Sequence, residues 1–88
     1  MDIKRHSTAG SLESNDCFIT LRNNHDRGIQ ILLKSTVYKQ FGNHIKDLVG
    51  NELEGYALKH ISVVVNDRGA LDYTLKARLA TAVERACK

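Results

Sequence analysis

HISVVVND, residues 60–67, reads as a β-strand with Ile61, Val63 and Val65 on one side. Successive strand side chains point to opposite faces, and β-branched residues suit a half-buried pleated surface. The turn-forming DRG (67–69) ends the strand. Leu71, Leu75, Leu79, Val83 and Ala86 then recur at helical spacing and predict an amphipathic helix rich in Ala, Leu, Lys and Arg. Upstream, Val37, Phe41, Ile45, Leu48, Val49 and Leu53 predict another helix with one buried face. Ser35 or Thr36 can cap its start, and its end falls near Tyr56–Leu58.

Two further β-rich runs precede that helix, Cys17–Leu21 and IQILLK at 29–34, the latter with Ile29, Ile31 and Leu33 on one face. The turn cluster NNHDRG (23–28) between them predicts an antiparallel hairpin. Thr8–Glu13 reads as a short strand folding back on Cys17–Leu21 through Ser14-Asn15-Asp16. Asn and Asp side chains bond nearby backbone N–H groups in such turns. Ser14 is thereby placed at an exposed tip. The expected fold is α+β: a small mixed sheet of three or four strands, in the order hairpin, helix, strand, helix, with both amphipathic helices on one face. A crossover from 29–34 through the first helix puts Ile61–Asn66 parallel to that strand. The whole chain, 1–88, fits one domain, and residues 1–7 are expected as a flexible arm.

Charge and composition exclude several classes. With 13 basic and 10 acidic side chains the net charge is +3, and the charges are interspersed. Lys4-Arg5 and Lys76 with Arg78 read as solvated faces, not as the basic stripe of a nucleic-acid binder. Cys17 and Cys87 form no CxxC pair and read as reduced thiols, with Cys17 a small buried hydrophobe. No apolar signal core or membrane span occurs, so the expected location is cytoplasmic and no membrane partner is implied. His6, His25, His44 and His60 are scattered and offer no metal-ligand spacing. NDRGAL (66–71) reads as a structural turn although an anion could sit there. Glu52 with Glu54, and Asp67 with Asp72, read as solvated charges, not acid–base pairs. Neither a catalytic nor a metal-ligating set emerges, and the residues alone describe a small α+β domain.

Three segments carry a resemblance: AGSLESND at 9–16, KQFG at 39–42 and NDRGALDYTLKARLATAVERA at 66–86. In order and spacing they resemble the acyl carrier (gamma) subunit of bacterial citrate lyase, over nearly the whole chain. The resemblance implies a non-catalytic carrier whose serine bears 2'-(5''-phosphoribosyl)-3'-dephospho-coenzyme A through a phosphodiester. The matching position is Ser14; Ser11 is not the expected site. It further implies that the arm's thiol holds an acetyl or citryl thioester. The alpha subunit exchanges acetyl for citrate, the beta subunit cleaves the citryl group, and a holo-carrier-protein transferase attaches the arm. An exposed tip suits this role, since a charged phosphodiester is tolerated only where water screens it. Glu13 and Asp16 are expected to add repulsion that favours exposure. Two alternatives stand beside it: the acyl carrier subunit of malonate decarboxylase, and a small basic RNA-binding module suggested by the sequence pI near 9.0. The latter lacks a basic stripe and aromatic stacking pairs. The second helix around Lys76 and Arg85 is a candidate docking face for partner subunits.

Overall fold

The computed structural model describes residues 3–25 and 27–88. Its elements run β1 (Ser7–Gly10), β2 (Cys17–Asn23), β3 (Ile29–Ser35), α1 (Tyr38–Gly55), β4 (Ile61–Asp67) and α2 (Asp72–Cys87). The sheet order is β1-β2-β4-β3, with β1/β2 and β2/β4 antiparallel and β3/β4 parallel. β4 therefore has a hydrogen-bonded neighbour on each side. A strand in that position keeps none of its backbone polar groups on an open edge, and this one is rich in β-branched residues.

The expected α+β architecture is present, including the β1/β2 hairpin and the parallel return of β4 beside β3. One pairing differs. Cys17–Leu21 and Ile29–Lys34 were expected to form a hairpin; instead β4 lies between β2 and β3. The connection must span two strand spacings, roughly 9.5 Å, and Asn24 and Gly28 brace it. Asn24 donates its backbone N–H to the His60 carbonyl (3.4 Å) and its side-chain amide to the Gly28 carbonyl. The Gly28 carbonyl also accepts the Ile61 N–H (3.1 Å). The turn residues lie where the sequence places them, but they tie the loop to the start of β4 and do not close a hairpin.

The core lies between one sheet face and the two helices. Ile19 and Leu21 of β2, Leu33 of β3, and Ile61, Val63 and Val65 of β4 are buried there. Leu48, Val49 and Leu53 of α1 and Leu75, Leu79 and Val83 of α2 pack over them. On the opposite face, Arg22, Gln30, Leu32 and Lys34 are exposed and Phe18, Thr20 and Val64 are half-buried. Of the expected arm, residues 3–7 lie against the end of α2. Ile3 is buried, the Lys4 and Arg5 N–H groups donate to the Ala86 carbonyl, and Ser7 Oγ donates to the Ala82 carbonyl at 2.6 Å. Residues 1 and 2 lie outside the described residues.

Two residues placed on buried helical faces by periodicity are exposed: Phe41 (54%) and Leu71 (59%). Leu71 is the extended residue just before α2 and not part of it. Phe41 sits in the first turn of α1 and faces a groove shared with Leu71 and Tyr73. The start of α1 also differs in detail. Its N-cap is Val37, with no side-chain cap bond. Ser35 acts instead by accepting the Val37 N–H (3.0 Å) while donating its hydroxyl to Asp67 (2.7 Å). Among the described residues, no helix is long and apolar enough to cross a membrane.

Gly10 ends β1 with φ +101°, and a Cβ there would stand 1.8 Å from the Cys17 carbonyl oxygen. That contact is with backbone, so no side-chain rotation relieves it. Gly10→Ala should lose roughly 3 kcal/mol or more of stability. In thermal denaturation the melting temperature should fall by more than about 10 °C.

Candidate functional site

The loop between β1 and β2, residues 11–16, is fixed at both ends and free at its tip. Where the strands part, Ser11 N–H donates to the Cys17 carbonyl (3.0 Å). Asp16 N–H returns to the Glu13 carbonyl (3.2 Å), and Asn15 adopts the left-handed conformation (φ 66°) that Asn tolerates. A second loop braces the first. Asn15 N–H donates to the Arg68 carbonyl (2.8 Å), and Arg68 N–H donates to the Asp16 carbonyl (2.9 Å). Gly69 follows with φ +88°, its Cα side facing the Asn15 amide. Only a residue at home in that backbone region lets the 67–70 turn come so close.

The Asp16 carboxylate locks the loop to α2. Arg78 donates Nε–H to Oδ1 and Nη2–H to Oδ2, each at 2.9 Å, a bidentate charge-assisted pair. Ser11 Oγ donates to Oδ2 and Cys17 N–H to Oδ1, both at 2.7 Å. The Arg78 contact first, then those of Ser11 and Cys17, hold the Asp16 carboxyl well below the usual carboxylate range. The same contact raises Arg78 above its ordinary value. Cys17, fully buried behind the loop, has its thiol pushed up to about 12, chiefly by desolvation and then by the charges of Asp16 and Asp67. A thiol in that state stays protonated and is a poor nucleophile at neutral pH.

Ser14 is exposed at the tip. Its hydroxyl makes no hydrogen bond to any described residue, whereas the Ser11 hydroxyl is committed to Asp16 and accepts the Glu13 N–H (3.3 Å). Among the described residues no base touches the Ser14 hydroxyl. The site holds an exposed hydroxyl on a braced loop.

Several expectations about charge change here. Asp16 does not repel a neighbouring anion as a free charge would, because Arg78 neutralises it; Glu13 alone is an exposed acid on the tip. Arg78 is a structural strut and not part of a solvated face. Arg85, placed on a docking face, donates to the Thr8 carbonyl (2.8 Å) and fastens α2 to β1, while exposed Lys76 stands 3.8 Å from Glu52. Asp72 pairs with His44 (2.9 Å). Asp67 is 1% exposed and accepts the Ser35 hydroxyl and the Gly69 and Ala70 N–H groups, which makes NDRGAL the structural turn it was read to be. Among the described residues no group of His, Cys, Asp or Glu could hold a metal ion.

A small α+β domain that presents one unengaged serine on a braced loop has the form of a carrier. A family model described as the malonate decarboxylase delta subunit, an acyl carrier protein, matches residues 4–86. The citrate lyase acyl carrier protein of Halothermothrix orenii is 50% identical over 88 residues, covering all of this chain and 93% of that protein. That of Streptococcus mutans is 46% identical over 88 residues, covering all of this chain and 86% of its own length. That of Streptococcus pyogenes serotype M4 is 48% identical over 86 residues, 98% of this chain and 84% of that one. The chain belongs to the citrate lyase acyl carrier protein family. A chain from a Pseudomonas malonate decarboxylase hetero-tetramer, crystallised with malonate, shares the fold with a TM-score of 0.82. The match covers 94% of this chain and 84% of that one at 17% identity.

Because Asp16 is more acidic in the folded chain than in the unfolded one, its contribution to stability is complete above about pH 4, the unfolded carboxyl value. It is lost as pH falls further toward the folded value. Urea denaturation at pH 7 and pH 3 should show a loss of stability in the wild type that is visibly smaller in Asp16→Asn, which is already weakened at pH 7.

Proposed function

We propose that this chain is the acyl carrier subunit of a citrate lyase and that Ser14 is the residue bearing its prosthetic arm. The arm is 2'-(5''-phosphoribosyl)-3'-dephospho-coenzyme A, joined to Ser14 Oγ by a phosphodiester. The observation that carries the site is the contrast between the two serines of SLES. Ser11 is consumed in holding Asp16, while Ser14 is exposed with its hydroxyl unengaged. Identities of 46–50% over the full chain to citrate lyase carriers support the parent complex.

The arm supplies a terminal thiol on a long tether, and so the capacity for thioester chemistry. The chain's own residues do the rest by position. Ser14 fixes the root of the tether in water, where a phosphodiester charge is tolerated. The Asp16–Arg78 pair and the Arg68 backbone bridge keep that root from swinging. Tethering raises the effective concentration of the carried group at partner sites to the millimolar range. The chain itself is non-catalytic; its partners are the lyase alpha and beta subunits and the transferase that loads Ser14, and its place is the cytoplasm. The family model's description favours a second reading, the acyl carrier subunit of malonate decarboxylase. Reconstitution of the loaded chain with lyase alpha and beta subunits, against decarboxylase subunits, separates the two.

Intact mass of chain produced with its modification enzymes tests the site. Wild type and Ser11→Ala should each gain the mass of one arm, and Ser14→Ala none. An arm retained on Ser14→Ala, or absent from wild type in cells with lyase activity, would refute the assignment.

A further inference from the structure

A groove of about 400 Å³ opens beside the Ser14 loop at one end of the uncovered sheet face, with Leu12, Lys34, Asn66 and Arg68 among its lining residues. Leu12, two residues from Ser14, is 56% exposed at its edge. Arg68 is not placed there by chance of rotamer alone: its N–H and carbonyl are bonded to Asp16 and Asn15, the residues directly after Ser14. Lys34 is an outward position of β3 whose register partner is Asn66 of β4. Both cationic side chains are exposed, and neither forms an ion pair with any described residue. The one acid lining the groove, Asp67, is turned inward, with its carboxylate occupied by Ser35, Gly69 and Ala70. The groove is thus positive, and it begins at the root of the attachment loop.

We infer that this groove is a resting site for the phosphate groups of the Ser14 arm, held by Arg68 and Lys34. The inference rests on the reading of Ser14 given above. A phosphodiester and a diphosphate are anionic acceptors that suit a guanidinium fork and an ammonium point charge. Each contact is exposed and individually weak. The tether makes the encounter intramolecular, so weak contacts are enough to be occupied. The same weakness lets the arm leave for a partner's active site. Arg68 and Lys34 therefore act as positioning residues, with no part in the chemistry.

The test uses the ¹⁵N-labelled holo carrier, its single arm verified by intact mass, with unmodified Ser14→Ala as reference. Resonances of the Arg68 amide and Nε–H and of the Lys34 and Asn66 amides should shift between the two. The ³¹P resonances of the arm should move by more than a linewidth in the Lys34→Gln/Arg68→Gln double variant. Inorganic pyrophosphate added to the unmodified chain should reach the same resonances only at millimolar concentration. A loaded chain whose shifts stay within residues 13–15, with ³¹P resonances indifferent to the double variant, would overturn the resting site and leave Ser14 intact. Micromolar pyrophosphate binding would overturn it in favour of a site for a free diphosphate. A wild-type chain that gains no arm would overturn both readings.

Discussion

Asp16 stands where three parts of the chain meet: the Ser11–Asp16 loop, the head of β2 and the side of α2. Its two oxygens receive the Ser11 hydroxyl, the Cys17 N–H and both prongs of the Arg78 guanidinium. An ionised carboxylate has the lone pairs to accept all of these at once, and each donor lowers the cost of keeping the charge partly buried. The consequence reaches beyond the loop. Without this anchor the chain from Gly10 to Cys17 would be held by the strand ladder on one side and the 67–70 turn on the other, with no other hydrogen bond among the described residues joining it to the helical layer. Arg85, bonded to the Thr8 carbonyl, repeats the same link two helical turns further along α2.

Strands, helices and their buried faces were legible because each is a property of local spacing. The β4 alternation of Ile61, Val63 and Val65 and the α2 series from Leu75 to Ala86 appear in the structure as read. The exposed tip at Ser14 was legible too, since Ser-Asn-Asp offers little else but a turn. Strand partnership was not. A cluster such as Asn23–Gly28 marks where the chain bends, but bending is equally compatible with pairing the adjacent strand or leaving room for another. The choice is made by β4, which lies far along the sequence and gains partners on both edges by inserting. The exposed Phe41 and Leu71 mark the same limit: period 3.6 identifies a face, yet only tertiary placement says where the covering layer stops.

The ionic anchor was missed for a related reason. Asp16 and Arg78 are separated by most of the chain, and each has an ordinary solvent-exposed reading in isolation. Their pairing follows only once β2 and α2 lie side by side. In isolation Asp16 is one more negative charge near Ser14; paired with Arg78 it is neutral to its surroundings and mechanical in effect. That reverses the electrostatics of the site. With Asp16 paired to Arg78 and Asp67 turned inward, Arg68 and Lys34 are the exposed charges of the groove beside the loop, and Glu13 is the exposed acid at its tip.

A carrier has two requirements that pull against each other. The root of its arm must be reachable by other subunits of the complex, which calls for exposure. It must also stay put, because a root that wanders spreads the effective concentration of the cargo over a larger volume. A long floppy loop would satisfy the first and fail the second. Here the loop is short, and its ends are set by backbone bridges together with the Asp16–Arg78 pair. The Gly10–Cys17 approach leaves no room for a Cβ, and the Asn15–Arg68–Asp16 bridge involves only main-chain groups. Main-chain contacts leave the side chains of the tip unconstrained, so Leu12, Glu13 and Ser14 all point into solvent from a fixed base. The immobility belongs to the two ends of the loop and the accessibility to the Ser14 hydroxyl. In so small a domain, this division is how one serine can be both anchored and free.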